Sequence, residues 1–333
     1  IGPLQLAEQA YAIWMQFTKA CGWDLPMSKS PWPSQLFDII GISLDLSPVP
    51  WAPAIMAITE RRIRALLASL GQVLLDKLLP PHTAGKLHGQ LMFSTSQQYG
   101  RVGRSKLAAL RRRQYEMRSD WNIQIHTTVC WWIKFLGQYI PRQILLGIPS
   151  APPVVTYSDG EGSGGIGICI FVKGQRPRAA YGTAHRTVRR LWQQQRSLSS
   201  PLDQQHDIYN IEAVGPLLIL HKWAADLQGQ LWLHFIDNES AQQALVKGSS
   251  SVWQGDVISG FTWNRIAELS VLPWFDRVQS ESNPIDGVSR GRNDGPWRAV
   301  EHLSFPPDFL SELAEHRLRV RRLLASEGAM RDF

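Results

Sequence analysis

The feature that most constrains the fold is a glycine-rich turn at residues 160–165 (GEGSGG), which separates two runs rich in β-branched residues. These runs, 154–157 and 166–172, are typical of paired strands, so the segment is predicted to form a hairpin. Asp159 closes the first strand beside small residues that leave space around its carboxylate. Such a position suits a metal ion or a phosphate group. The turn lacks the GKS/T ending of a phosphate-binding loop, which argues against a nucleotide cradle.

The elements that follow the hairpin predict a mixed sheet. The sequence indicates a third strand at 178–184, a polar, glutamine-rich insertion at 186–207 and a helix at 208–227. It continues with a strand at 230–236, helices at 239–247 and 252–269, and a last strand at 271–279. Three antiparallel strands followed by alternating helices and strands imply a mixed sheet covered by helices, which is an α/β arrangement.

The first 150 residues are predicted to be mainly helical, with one strand at 36–46. Apolar residues recur at helical spacing over 4–22, 59–79, 82–97, 104–118 and 122–139. Trp131 and Trp132 in the last of these helices are expected in the core. The tail is predicted to contain an amphipathic helix at 308–325, a candidate contact for other protein subunits. This helix carries a basic cluster, Arg317, Arg319, Arg321 and Arg322.

Charge is distributed unevenly along the chain. Residues 1–150 contain 16 Lys and Arg against 8 Asp and Glu, whereas residues 151–292 contain 13 of each. This surplus favours a polyanionic partner, and a solvated basic surface is the alternative. The three cysteines are too far apart for a zinc motif or a disulfide framework, which fits an intracellular reducing compartment: nucleus, cytoplasm or an organelle. No apolar run approaches the roughly 20 residues that span a bilayer, so no membrane association is expected.

Four carboxylates occupy comparable places in this order of elements. They end a strand, follow the last strand or lie on the long helix: Asp159, Asp237, Asp286 and Glu212. Clustered carboxylates repel one another unless a cation offsets the repulsion, and oxygen ligands suit Mg²⁺ or Mn²⁺. Two such ions about 3.5–4 Å apart can activate water to attack a phosphodiester. Each residue alone has an ordinary alternative, as a turn, cap, loop or exposed helix residue. The combination indicates a metal site.

The strings TYSDGEGSGG, YNIEAV, HFIDNESAQQAL and ESNPIDGVSRG together resemble the ribonuclease H domain of retroelement reverse transcriptases. The resemblance is greatest to the tyrosine-recombinase (DIRS-like) group. It implies a five-stranded mixed sheet flanked by helices, and cleavage of the RNA strand of RNA–DNA hybrids with two Mg²⁺ (or Mn²⁺) ions. It further implies that Asp159 bridges both ions. Glu212 and Asp237 would complete one site, and Asp286 the other. Asn238 matches the family's Asp-Asn pair and is expected to orient the site and contact nucleic acid.

The upstream half is similar to other parts of the same family. FTKACGWDLPMSKSPWPSQLFDIIGISLDL resembles the end of a polymerase palm, with Lys29 and Gly41 at the family's lysine and strand glycine. TAGKLHGQLMFSTS and GRSKLAALRRR resemble the helical thumb and connection. The resemblance divides the chain into a palm remnant (1–50), thumb and connection (51–150), a ribonuclease H-like domain (151–292) and an extension (293–333). It also implies that basic residues of the second segment grip the duplex: Lys106, Arg111, Arg112 and Arg113.

Two departures from the family lead to an alternative function. The paired aspartates of the polymerase centre are absent from the chain, so polymerisation is not expected. The loop VQSESNPID lacks the histidine that many ribonucleases H carry before the last aspartate. The alternative is a domesticated, catalytically silent derivative that binds RNA or protein within a large ribonucleoprotein. Its basic first half and 14 tryptophans motivate this reading. Four tryptophans are candidate contacts with RNA or protein in this alternative, and core packing is the other possibility for each: Trp131, Trp132, Trp192 and Trp253.

Overall fold

The chain forms a mixed α/β structure with two separate sheets, as seen in a computed structural model. The structure describes residues 4–23, 25–26, 30, 32–49, 51–144, 146, 151–184, 188–189, 206–250 and 253–314. The predictions made for Lys29, for Trp192 and for the arginines of residues 317–322 lie outside these residues. Among the helices of the described ranges, none has the length and hydropathy needed to cross a bilayer.

The smaller sheet has four antiparallel strands: β1 (Leu36–Ile39), β2 (Ile42–Asp45), β3 (Ala54–Ile58) and β4 (Arg142–Ile144). The prediction of a single strand over 36–46 is wrong, because the chain turns at Ile40 and Gly41. Both residues have positive φ, at 51° and 83°, as in the two-residue turn of a tight hairpin. Isoleucine rarely adopts this backbone conformation, so the sequence carries no ordinary turn signal there.

In the part of the first half that the structure describes, the chain forms five α-helices: α1 (Leu4–Ala20), α2 (Glu60–Asp76), α3 (Pro81–Ser94), α4 (Ala108–Arg113) and α5 (Ile123–Gly137). The helix predicted over 104–118 is shorter, consisting of a 3-10 turn at Arg104–Leu107 and then α4. α2 to α5 share an apolar core in which Trp132 is fully buried, as expected. Trp131 is half-buried and stacks on Phe135 with ring centroids 5.1 Å apart.

The larger sheet has six strands: β5 (Val154–Gly160), β6 (Gly165–Phe171), β7 (Arg178–Thr183), β8 (Leu231–Ile236), β9 (Leu272–Arg277) and β10 (Val300–His302). Their spatial order is β10-β7-β6-β5-β8-β9. β5, β6 and β7 pair antiparallel, whereas β8 and β9 extend the sheet in parallel beyond β5. The hairpin around the glycine-rich turn and the mixed sheet are therefore confirmed.

The number of strands differs from the prediction, because β10 adds a sixth strand to the expected five. β10 pairs in parallel with β7 at the edge of the sheet, with Glu301 opposite Ala180. It lies beyond residue 292, where the ribonuclease H-like segment was predicted to end. Three residues are too few to show the alternation of apolar and polar side chains by which a strand is recognised in a sequence.

Within the described residues, the helices that accompany the larger sheet include α6 (His206–Ala213), α7 (Gly215–Lys222), α8 (Ala224–Leu227), α9 (Glu239–Lys247), α10 (Trp253–Glu268), the short α11 (Asp286–Ser289) and a helix at residues 307–314. The single helix predicted over 208–227 is divided into α6, α7 and α8. Pro216 explains the first break, because its ring removes a backbone donor and clashes with the carbonyl four residues earlier. The core between sheet and helices includes fully buried Ile166, Ile168 and Leu218.

Candidate functional site

Asp159 lies near the end of the central strand β5 and is 5% exposed. The Ser289 hydroxyl donates a hydrogen bond to its carboxylate. The pKa of Asp159 is raised to about 6, chiefly by burial; the negative charges of Asp237 and Asp286 contribute, and the hydrogen bond from Ser289 opposes the shift. Asp159 is therefore a carboxylate whose ionised form is disfavoured by its surroundings.

Glu212 approaches Asp159 from α6, because residue 160 of β5 has no side chain. A Cβ at Gly160 would lie 2.7 Å from Ile211 Cγ2 and 2.9 Å from Glu212 Cγ, so any larger residue would displace the helix. Glu212 is 6% exposed, and its Oε2 atom is buried without a hydrogen-bond partner. Burial raises the pKa of Glu212 to about 9, and the charges of Asp237 and Asp159 contribute to this shift.

Asp237 follows the last residue of β8 and begins the turn into α9. The Ser280 hydroxyl donates to its Oδ2 atom at 2.8 Å, whereas its Oδ1 atom is buried and has no partner. Asn238 is the N-cap of α9, where its Oδ1 atom accepts from the Ala241 N–H at 3.0 Å. The side chain of Asn238 also hydrogen-bonds to Glu212, which stabilises the charged form of that glutamate. Asn238 thus connects the helix start to the acidic cluster.

Asp286 begins α11, in the segment that runs between β9 and β10 at opposite edges of the sheet. This segment is anchored on the central strands, since the Asn283 side chain donates to the Ser158 carbonyl at 3.1 Å. Ser289 can lie against β6 because Gly167 has no side chain; a Cβ at residue 167 would lie 2.7 Å from the Ser289 nitrogen. The Asp286 side chain is 31% exposed and pairs with Arg290.

The structure therefore brings the four predicted carboxylates, Asp159, Glu212, Asp237 and Asp286, to one end of the larger sheet. The sequence interpretation missed the side chains that hold them: Ser280, Asn283, Ser289 and Arg290. Three of these four lie in the string ESNPIDGVSRG. That string carried the only available signal, but hydroxyl and amide groups in a loop have many ordinary uses.

The cluster fits a hard divalent cation in the chemistry of its donors. All four groups are carboxylates, and two buried oxygens, Glu212 Oε2 and Asp237 Oδ1, accept no hydrogen bond from a donor group. The Glu212 and Asp237 side chains lie within hydrogen-bonding reach of each other, which favours a proton on Glu212. A cation would also offset the repulsion that raises the pKa values of Asp159 and Glu212. Over the described ranges, however, no three or more His, Cys, Asp or Glu residues are arranged as a ready metal-binding group. The carboxylate oxygens are chemically suited to a divalent cation, but the four side chains would have to reorient to coordinate one.

A buried polar row joins β5 to β8 beneath the cluster. His234 is fully buried; its Nδ1 atom lies 2.9 Å from Thr156 Oγ1 and its Nε2 atom 3.2 Å from Ser158 Oγ. The Trp232 indole N–H donates to the same threonine hydroxyl at 2.7 Å. Burial lowers the pKa of His234 to about 3, so its imidazole is neutral. These bonds fix the register of the two strands that end near Asp159 and Asp237.

The four basic residues predicted to contact nucleic acid differ in their surroundings. Arg111 is exposed, and Arg112 is exposed and donates to Gln124 at 3.0 Å. Lys106 pairs with Glu312 at 3.0 Å, which links the first half of the chain to residues 307–314. Arg113 is 1% exposed, and its guanidinium donates to the carbonyls of Arg118 and Asp120. The prediction for Arg113 is wrong, because a buried guanidinium is not available to a phosphate backbone.

No protein-family model matches this chain, and no curated protein sequence matches it.

Proposed function

We propose that this chain contains a ribonuclease H-like nuclease domain that cleaves the RNA strand of RNA–DNA hybrids, within a protein related to DIRS-like reverse transcriptases. The observation that carries the proposal is the convergence of four carboxylates from separate elements, with the carboxylate of Glu212 buried and half unpartnered. The order of the strands supports it, since three antiparallel strands followed by two parallel ones is what the resemblance predicts.

Asp159, Glu212 and Asp237 would hold one divalent cation, and Asp159 and Asp286 a second. Bound cations at such a site lower the pKa of water and offset charge on the phosphodiester. The protein's own contribution is to orient the ligands. Ser289 orients the carboxylate of Asp159, Ser280 does so for Asp237, and Asn238 for Glu212. Burial raises the pKa values of Asp159 and Glu212, so without a cation their protonated forms are favoured. A bound cation would instead stabilise the ionised carboxylates.

A catalytically silent RNA-binding subunit is the second candidate. It is favoured by the lack of a ready metal-binding group among the described residues. The exposed side chains of Arg104 and Arg111, on the 3-10 turn and α4, would give such a protein sequence-independent affinity for phosphates.

Cleavage of an end-labelled RNA–DNA hybrid in the presence of Mg²⁺ tests the proposal. We expect the native chain to cut the RNA strand and the Asp159→Asn and Asp237→Asn variants to lose at least about 100-fold in rate, since each loses a ligand. Asp276→Asn is the matched control, because Asp276 is an exposed aspartate on the adjacent strand β9. Cleavage that survives both site substitutions would refute the proposed site. Tight RNA binding without any cleavage would favour the silent subunit.

A further inference from the structure

Arg290 is the one cation that the described residues place directly on the acidic cluster through a short ion pair. Its Nη2 atom lies 2.6 Å from Asp286 Oδ1, and Arg292 lies on the other side, with Nη2 3.6 Å from Asp286 Oδ2. The Arg290 guanidinium is also close enough to Asp159 to stabilise the charged form of that residue. Arg290 therefore lies at the side of the cluster where Asp159 and Asp286 meet.

The other side of the cluster differs. Among the described residues, the carboxylates of Asp159, Glu212 and Asp237 form no ion pair with lysine or arginine. Hydroxyl donors hold Asp159 and Asp237, and one oxygen of Glu212 has no partner. The cluster is thus asymmetric: among the described residues, three carboxylates form no ion pair with a lysine or arginine, whereas Asp286 pairs with Arg290 and Arg292.

The Arg290 side chain can leave without disturbing the loop that carries it. The loop is anchored by the bond of Asn283 to the Ser158 carbonyl and by the bond of Ser289 to Asp159, neither of which involves Arg290. Ser289 is 1% exposed, whereas the Arg290 side chain is 55% exposed. An exposed ion pair of this kind is weak and exchanges readily with solvent and salt.

We propose that Arg290 is a displaceable counter-ion that occupies Asp286 and sets the affinity of that carboxylate for a divalent cation. This inference rests on the proposed function, because it concerns the same cation site. A cation at Asp286 must break the Arg290 pair, whereas a cation held by Asp159, Glu212 and Asp237 breaks none. The two positions are therefore unequal: the position held by Asp159, Glu212 and Asp237 fills at lower cation concentration than the position at Asp286. Arg290 is a positioning residue, since it acts through Asp286.

Mn²⁺ binding to the full chain, followed by electron paramagnetic resonance of the free ion, tests the proposal without any cleavage assay. We expect Arg290→Gln to tighten the weaker Mn²⁺ site about two- to fivefold, which is the scale of an exposed ion pair. Arg298→Gln removes the same charge from an exposed position in the same segment and should change binding less. Arg290→Lys keeps the charge, should bind Mn²⁺ like the native chain, and provides a second variant if Arg290→Gln does not fold.

A double-mutant cycle with Asp286→Asn separates direct competition from a general charge effect. If Arg290 acts through Asp286, Arg290→Gln should have no effect on Mn²⁺ binding in the Asp286→Asn background. An unchanged or weakened site in Arg290→Gln, or an effect that persists in that background, would overturn the inference and leave the proposed function standing. Mn²⁺ binding that does not respond to Asp159→Asn or Asp237→Asn would instead remove the proposed site, and the inference with it.

Discussion

Replacement of Glu212 by glutamine should stabilise the cation-free protein, and the gain should increase with pH. The pKa of Glu212 is raised to about 9, chiefly by burial, whereas its ordinary value is 4.5. Between these values the folded protein retains a proton that the unfolded chain has lost. Because the folded state binds more protons, the free energy of unfolding falls as pH rises through this range. Glutamine has nearly the same shape and no charge, so it removes this dependence.

The magnitude follows from the size of the shift. One pKa unit corresponds to about 1.4 kcal/mol, so raising the pH from about 4.5 to about 7 costs the native protein about 3 kcal/mol relative to Glu212→Gln. Raising the pH further, from about 7 to about 9, costs the native protein a similar amount of unfolding free energy relative to Glu212→Gln. Chemical denaturation across this pH range, without divalent cations, measures the difference directly. Thermal unfolding near pH 7 should show the variant melting on the order of 5 °C higher.

A control variant and a measurement with Mg²⁺ test whether the pH dependence of stability comes from Glu212 and the proposed cation site. Glu281→Gln makes the same chemical change at an exposed glutamate and should leave the pH dependence unaltered. Saturating Mg²⁺ should stabilise the native protein, by about 2.7 kcal/mol at 100 times its Kd, and should stabilise Glu212→Gln less. A stability difference between native and Glu212→Gln protein that stays constant from about pH 5 to about pH 9 would refute the reasoning.

Three further substitutions test other parts of the structure. Gly160→Ala should cost about 1–3 kcal/mol of unfolding free energy and reduce cleavage, because its Cβ would displace α6. Gly162→Ala is the control: its Cβ would have nothing within 4 Å, so stability and cleavage should hardly change. Arg113→Met should cost about 1–3 kcal/mol in denaturant unfolding, since it removes the ion pairs of a buried guanidinium with Glu116 and Asp120 and its hydrogen bonds to two carbonyls. Arg111→Met should stay within about 0.5 kcal/mol, and equal effects would contradict the buried role. The lowered pKa of His234, about 3, predicts that native stability falls as pH drops below 6.5, because only the unfolded imidazole gains a proton there. His234→Gln should lessen that loss by a few kcal/mol, and parallel acid-unfolding curves for the two proteins would argue against it.

The larger sheet was largely predictable because its strands have strong local signals. The β-branched runs on either side of residues 160–165 and the apolar run that became β8 are long enough to reveal strand character. The smaller sheet was missed for the opposite reason. Its turn uses an isoleucine at positive φ, and its last strand, β4, lies 84 residues beyond the end of β3 at Ile58. Pairing over such a separation leaves no local pattern.

The acidic cluster was predictable as a set of residues, because the ends of strands can be read from the sequence. Its electrostatics were not, since the high pKa of Glu212 depends on how closely α6 packs on β5. The basic residues show the same limit. Arg111, Arg112 and Arg113 are equivalent in the sequence, yet α4 buries the third and exposes the other two. Helix orientation is a property of tertiary packing, which a single sequence does not reveal.

The placement of β10 has a consequence for the order in which the molecule is completed during synthesis. β10 pairs with β7, about 120 residues earlier, and the loop with Asp286 and Ser289 lies between β10 and the opposite edge strand β9. The loop is therefore tethered at both ends only after residues 300–302 have emerged from the ribosome. Contacts so distant along the chain form late in folding. A nascent chain would thus hold its acidic residues in a nearly finished sheet, with the loop of Asp286 anchored only through Asn283 and Ser289, until β10 fixes the far end of that segment.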